Sequence, residues 1–239
     1  MLLRFLSVEA LKLRRSLVML LCITAPTLVV IIAVLIGVKT KGAMPIANYA
    51  QTGAAFWAFA MLPLTLTALS VLMAQMEHGP KTWDHLLALP GARRWLFLSK
   101  ALIMIALDAA MTIILFGLLM VGAKVAASIK PVTGSFEIAG NALLLGKMFL
   151  ASILMAVIQL WAALRFRSFV PPLVLGILGT FISVASAAAR EGAYFPWLMP
   201  LHILSSDPAM AAMALRIGAL GGLAALGRML GDLKRIEAS

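Results

Sequence analysis

The chain has 239 residues, of which 63% are hydrophobic and only 12% charged, about half the charged fraction of a soluble domain. With a mean hydropathy of +1.04, it is too apolar to fold as a soluble globule and reads as an integral membrane protein. Its net charge of +11 does not call for a nucleic-acid partner, because the basic residues sit scattered at the ends of apolar segments, where membrane topology accounts for them.

The first fifteen residues include Arg4, Lys12, Arg14 and Arg15 and lead into an apolar run. That run exceeds the roughly 7–15 residues of a signal-peptide core, so it is expected to be a retained helix. Six apolar segments long enough to cross a hydrocarbon layer of about 30 Å follow one another. They are Ser16–Val38, Ala54–Met76, Phe97–Ala123, Ala142–Leu164, Phe169–Ala189 and Ala209–Gly231. None alternates with the period of two that a barrel strand requires. The fold expected is therefore all-α, a single membrane domain over residues 1–239 with six transmembrane helices.

Within the first span lies Cys22, the one cysteine, so no intrachain disulfide can form and the thiol reads as a small core residue. Pro26, Pro63 and the pair Pro171-Pro172 are expected to kink or start helices, with neighbouring helices satisfying the freed carbonyls. The fifteen methionines read as deformable packing rather than a metal relay. Asp108 falls near the middle of the third span, where an ionised carboxylate costs about 2.5–3.5 kcal/mol. It is expected to face the interior or a wet cavity, with Arg216 of the sixth span as a candidate partner. A structural hydrogen bond or ion pair and a place on a substrate path are both open to it. Lys100 and Lys147, near span ends, are expected to snorkel. In the sixth span Gly218 and Gly222, extended by Ala214, and then Gly227 and Gly231 keep small-xxx-small spacing. This pattern lets helices approach closely within one bundle or between subunits.

Lysine and arginine asymmetry sets the orientation. One set of connections holds Arg4, Lys12, Arg14, Arg15, Lys81, Arg93, Arg94, Lys100, Arg165, Arg167, Arg228, Lys234 and Arg235. The other holds Lys39, Lys41, Lys124, Lys130 and Arg190. Both termini belong to the richer set and are expected to be cytoplasmic. No catalytic motif appears: there is no HExxH, GxSxG, paired-cysteine site or phosphate-binding loop. His78, His85 and His202 are too scattered for a metal site. Any ATP used by this protein must be bound by another chain.

The polar chemistry concentrates between the second and third spans, in Met76–Lys100. Pro80 suits a helix first turn and Pro90 a helix stop. Lys81–Leu89 would make about two and a half helical turns. Trp83, Leu86 and Leu87 would then lie on one side and Lys81, Asp84 and His85 on the other. So short a helix needs a surface to rest on, either the lipid interface or a partner protein.

The run Glu77-His78-Gly79-Pro80-Lys81-Thr82-Trp83, then Leu86-Leu87-Ala88-Leu89-Pro90, Arg93 or Arg94, and Lys100 resembles the loop of ABC-2 type transporter permeases. Glu9-Ala10-Leu11-Lys12-Leu13-Arg14-Arg15-Ser16 is similar to the amphipathic helix, here residues 1–15, that these permeases lay on the membrane surface. Leu164–Pro172 and Tyr194–Pro200 look like the subgroup of lantibiotic-immunity and bacitracin-resistance permeases. The resemblance implies a bacterial inner-membrane half-transporter, not an enzyme itself. It would pair with a cytoplasmic ABC ATPase, which binds ATP and Mg, and with a second permease subunit, the same or related, among membrane lipids. Residues 77–95 would be the cytoplasmic coupling loop. Trp83, Leu86 and Leu87 would form its apolar contact, Lys81 and Thr82 would lie beside them, Glu77 would be the anchor, and Arg93 and Arg94 would hold acidic groups. Arg165 and Arg167 would form a second cytoplasmic contact, while Asp108 and Arg216 remain candidates for the substrate path. The function implied is export of an amphipathic or hydrophobic substrate such as an antimicrobial peptide or lipid-like molecule, and short outer loops leave no receptor-like outer domain. An ATP-independent scaffold or immunity protein, and an intramembrane enzyme built on Asp108, are the alternatives.

Overall fold

The computed structural model describes residues 2–14, 16–78, 92–186, 192 and 194–232, without the side chains of Glu77, His78, Ala92 and Arg93. A short helix, α1 (Leu2–Leu13), precedes α2 (Leu17–Lys39). Ser16 caps α2, its hydroxyl accepting from the Val18 amide at 3.3 Å. The second membrane segment is continuous over 46–76 but changes winding. It runs as α3 (Ile46–Phe56), a π-helical turn at Trp57–Met61, and α4 (Leu62–His78). Pro63 has no amide hydrogen and its ring crowds the preceding turn. The wider π turn immediately before it absorbs the clash.

The third segment, α5 (Ala92–Ile129), has 38 residues, about 57 Å of helix. It therefore extends well past a hydrocarbon layer of about 30 Å, and beyond the expected Phe97–Ala123. Next come α6 (Ile138–Arg165) and the shorter α7 (Val170–Ser186), whose first turn holds Pro171 and Pro172. A compact stretch follows: a 3₁₀ turn at Pro196–Leu198, then α8 (Met199–His202). The last segment is α9 (Pro208–Arg216), a second π turn at Ile217–Gly221, and α10 (Gly222–Asp232). Five segments are long and apolar enough to cross a membrane, and α7 is a shorter apolar helix. The all-α membrane architecture expected from the sequence is the one found.

The helix α6 is the hub, touching α4, α5, α7, α8, α9 and α10. Small residues permit these approaches. A Cβ at Gly176 of α7 would collide with Thr67 of α4, and one at Gly179 would enter the Trp197 indole. A Cβ at Gly218 would strike the Ala151 backbone of α6, and Gly222 lies as tightly against Ile153 and Leu154. The Gly218–Gly222 stripe, with Ala214 buried beside it, is therefore used inside the bundle. Gly227 and Gly231 have open space where a side chain would be.

At one end of the bundle, the connections after α2 and α5 are sewn together. Met44–Pro45 (β1) pairs in parallel with Val132–Thr133 (β2), and the Met44 amide donates to the Pro131 carbonyl at 2.9 Å. The Lys130 ammonium donates to the carbonyls of Val38 (3.4 Å) and Thr40 and to the Thr40 hydroxyl (3.3 Å). These carbonyls end α2, where a cation also complements the helix dipole. Gly42 and Gly134, at φ of 76° and 77°, supply the left-handed turns that reverse the chain around this junction.

Candidate functional site

The opposite end carries α1, the ends of α4 and α6, and the starts of α5 and α7. The twelve residues of α1 are too few to hold a helix alone, and the helix is anchored by its Glu9 and Leu13, both buried. On α1, Leu3, Val8 and Leu11 stay exposed, alongside the polar Arg4, Ser7 and Lys12. Its anchor is ionic. Glu9 Oε2 accepts from the Lys100 ammonium of α5 at 2.7 Å, and Glu9 Oε1 accepts from Lys12 at 3.1 Å. Lys100 is 0% exposed and Glu9 4%.

The expectation that Lys100 snorkels is thus corrected. The residues one turn away from it on α5, Leu96, Phe97 and Met104, are all buried, and its charge is met inside the protein rather than at the headgroups. A buried cation requires such a partner. Glu9 is the sole acidic residue before Glu77, and that isolation was the one signal in the sequence that could have pointed to the pair. Lys147, by contrast, is exposed.

Of the expected loop residues, Glu77 lies in the last turn of α4 and Arg93 in the first turn of α5, with their side chains outside the described structure. Lys81, Thr82, Trp83, Leu86 and Leu87 lie outside the described residues. Arg94 is exposed on the first turn of α5. The helices flanking the loop are packed together with α1 and α2, so 79–91 joins two anchored ends.

Arg165 and Arg167 are both exposed. Arg165 Nε lies 3.9 Å from Asp232 Oδ2, and the Trp161 indole donates to the same oxygen at 3.0 Å. These contacts tie the end of α6 to the end of α10. Between α6 and α7, the Gln159 side-chain amide donates to the Pro172 carbonyl at 2.6 Å, a carbonyl in the proline-rich first turn of α7.

Asp108 is buried in the middle of α5. Its Oδ2 accepts from the Ser152 hydroxyl of α6 at 2.5 Å, while its buried Oδ1 has no hydrogen-bond partner among the described residues. The pairing with Arg216 is not found: Arg216 is exposed on the last turn of α9, and the contact of Asp108 is the Ser152 hydroxyl on a different helix. The long exposed side chain of Arg216 gains more from the membrane surface than from a desolvated site. Along α5 and α6, a groove of about 260 Å³ opens sideways, lined by Ala109, Thr112, Ile113, Phe116, Leu145 and Phe149 among others. Asp108 is not among its lining residues. Among the described residues, no cluster of three or more histidine, cysteine or acidic side chains could hold a metal ion.

The described features are a bundle of helices long and apolar enough to cross a membrane and a short helix, α1, pinned to the foot of α5, with the polar segment 79–91 lying between α4 and α5 in the sequence. No curated protein and no solved structure shows significant similarity to the chain. A family model described as ABC-2 family transporter protein matches residues 5–183, which takes in most of α1, the segment 79–91, both helices of the Asp108–Ser152 contact and most of α7. A match over three quarters of the chain, on a bundle of this kind, means that the chain belongs to the ABC-2 family of transporter proteins, as a multi-pass membrane subunit of an ABC transporter.

Proposed function

We propose that this chain is the permease half of a bacterial inner-membrane exporter, with both termini cytoplasmic, and that residues 77–95 receive the force of the ATPase. The observation that carries this reading is the length and anchoring of α5. Its 38 residues run unbroken from the loop through the layer to the far junction at Lys130. A displacement at Ala92 is therefore delivered across the whole membrane. Trp83, Leu86 and Leu87 supply the apolar surface that seats in the ATPase, with Lys81 and Thr82 beside them. Glu77 is the hinge-side anchor, and Arg93 and Arg94 hold acidic groups of ATPase or lipid. Exposed Arg165 and Arg167 offer a second contact. ATP and Mg stay on the ATPase, and a second permease copy or relative completes the transporter. Coupling requires that the closed ATPase favour one helix arrangement by differential contact energy.

The substrate class is amphipathic or hydrophobic, of antimicrobial-peptide or lipid-like character, in line with the lantibiotic-immunity resemblance. The sideways groove of α5 and α6 supports uptake from the bilayer. Asp108, with one carboxylate oxygen unbonded among the described residues, is assigned to the path, and Arg216 to the acidic groups that a lipid or substrate presents at the surface.

The test is substitution of the loop. Leu86→Glu with Leu87→Glu, and separately Trp83→Ala, should abolish co-purification of the ATPase while membrane insertion stays normal. An intact complex that still transports would overturn the coupling assignment.

A further inference from the structure

We infer that Glu9 and Lys100 are positioning residues for energy coupling. Their buried pair pins α1 to the foot of α5, so that the two move as one body. The inference rests on the coupling role proposed for the loop 79–91.

Three observations carry it. The pair is fully internal, at 2.7 Å with Lys100 0% exposed, and it joins residues 91 positions apart. It also has a direction. Apolar contacts between helices tolerate sliding, but an ammonium and a carboxylate held away from water do not, because a shift of an ångström or two breaks a contact that offsets the desolvation of both charges. A buried polar pair of this kind fixes register. Finally, connectivity places it on the proposed path of force. Lys100 lies about two turns beyond Ala92, where α5 leaves the loop, and α1 continues through the Ser16 cap into α2. Motion at the loop then reaches α2 through α5, the ion pair and α1, as well as passing along α5 itself. The second bond of Glu9, to Lys12 on its own helix, orients the carboxylate toward this task.

The test uses the complete complex of this chain with its ATPase in lipid nanodiscs. Cys22 is replaced by alanine, and spin labels are placed at exposed Ala10 of α1, Ile113 of α5 and Phe181 of α7. A non-hydrolysable ATP analogue should leave the 10–113 distance unchanged in the parent chain while shifting 10–181. In the Glu9→Gln/Lys100→Gln chain, the 10–113 distribution should broaden and the nucleotide-driven shift in 10–181 should fall to less than half, with the ATPase still bound. The conservative Lys100→Arg chain, which keeps a cation for Glu9, should retain parent behaviour, and it serves as the test should the glutamine pair fail to fold. A parent 10–113 distance that changes with nucleotide would overturn the inference. So would a folded variant, neutral or Lys100→Arg, in which 10–113 contradicts these expectations. A parent chain in which nucleotide moves neither distance would instead overturn the coupling role of the loop.

Discussion

Removing one member of the Glu9–Lys100 pair should destabilise the protein far more than removing both. At the observed 2.7 Å, Coulomb's law with an effective dielectric constant of about 20 gives an attraction of about 6 kcal/mol. Most of that attraction offsets the desolvation of the two ions, so its net worth is much smaller. Glu9→Gln takes the carboxylate at 2.7 Å from the buried Lys100 ammonium, and breaking a buried pair from one side costs about 3–5 kcal/mol. Lys100→Met leaves Glu9 with Lys12 alone. The Lys12 side chain is 33% exposed, and such a half-solvated pair contributes only about 0–1 kcal/mol. The double change Glu9→Gln/Lys100→Met removes both charges and should cost about 1 kcal/mol or less. The coupling energy should therefore exceed about 2 kcal/mol. The assay is a double-mutant cycle on purified protein in mild detergent, following helix loss on titration with a denaturing detergent. Single variants that each lose less than about 1 kcal/mol, or that add to give the double, would refute the reasoning, because a solvated surface pair behaves that way.

Other expected outcomes follow from particular contacts. Gly218→Val drives a side chain into the Ala151 backbone and should cost about 1–3 kcal/mol, whereas Gly227→Val, at an open position, should stay within about 0.5 kcal/mol in the same unfolding assay. Lys130→Met should cost about 1–2 kcal/mol and raise amide exchange at Thr40 and Met44, since it removes the donor to the carbonyls that end α2; unchanged exchange would disprove the clasp. Asp108→Asn keeps a group able to accept from Ser152 and should fold normally while transport falls; transport at the parent rate would remove Asp108 from the path.

The six apolar segments were legible because hydrophobic length is a local property, and the places of Pro63 and Pro171-Pro172 were legible because proline acts within one turn. Boundaries moved where helix continued into polar sequence. Ala92 to Leu96 looked like loop yet extends α5, since a helix leaving the membrane needs no apolar residues. The π turn at Trp57–Met61 was not foreseen, although Pro63 marked the place. Burial of Lys100 was misread because its partner lies 91 residues away, and no periodicity connects them. Asp108 is legible as costly in its span, but the cation that its charge suggests is not what meets it; a serine hydroxyl one helix away bonds one of its oxygens. Charge count alone does not rank a hydroxyl against a guanidinium that can reach water.

The central claim is that this chain works only as one part of an ATP-driven assembly. Its most direct test is purification of the tagged protein from native membranes in mild detergent, with identification and quantitation of whatever accompanies it. The account predicts an ABC ATPase subunit in a fixed ratio to this chain, lost when Trp83 and Leu86 are replaced. A chain that arrives repeatedly without an ATPase would contradict it.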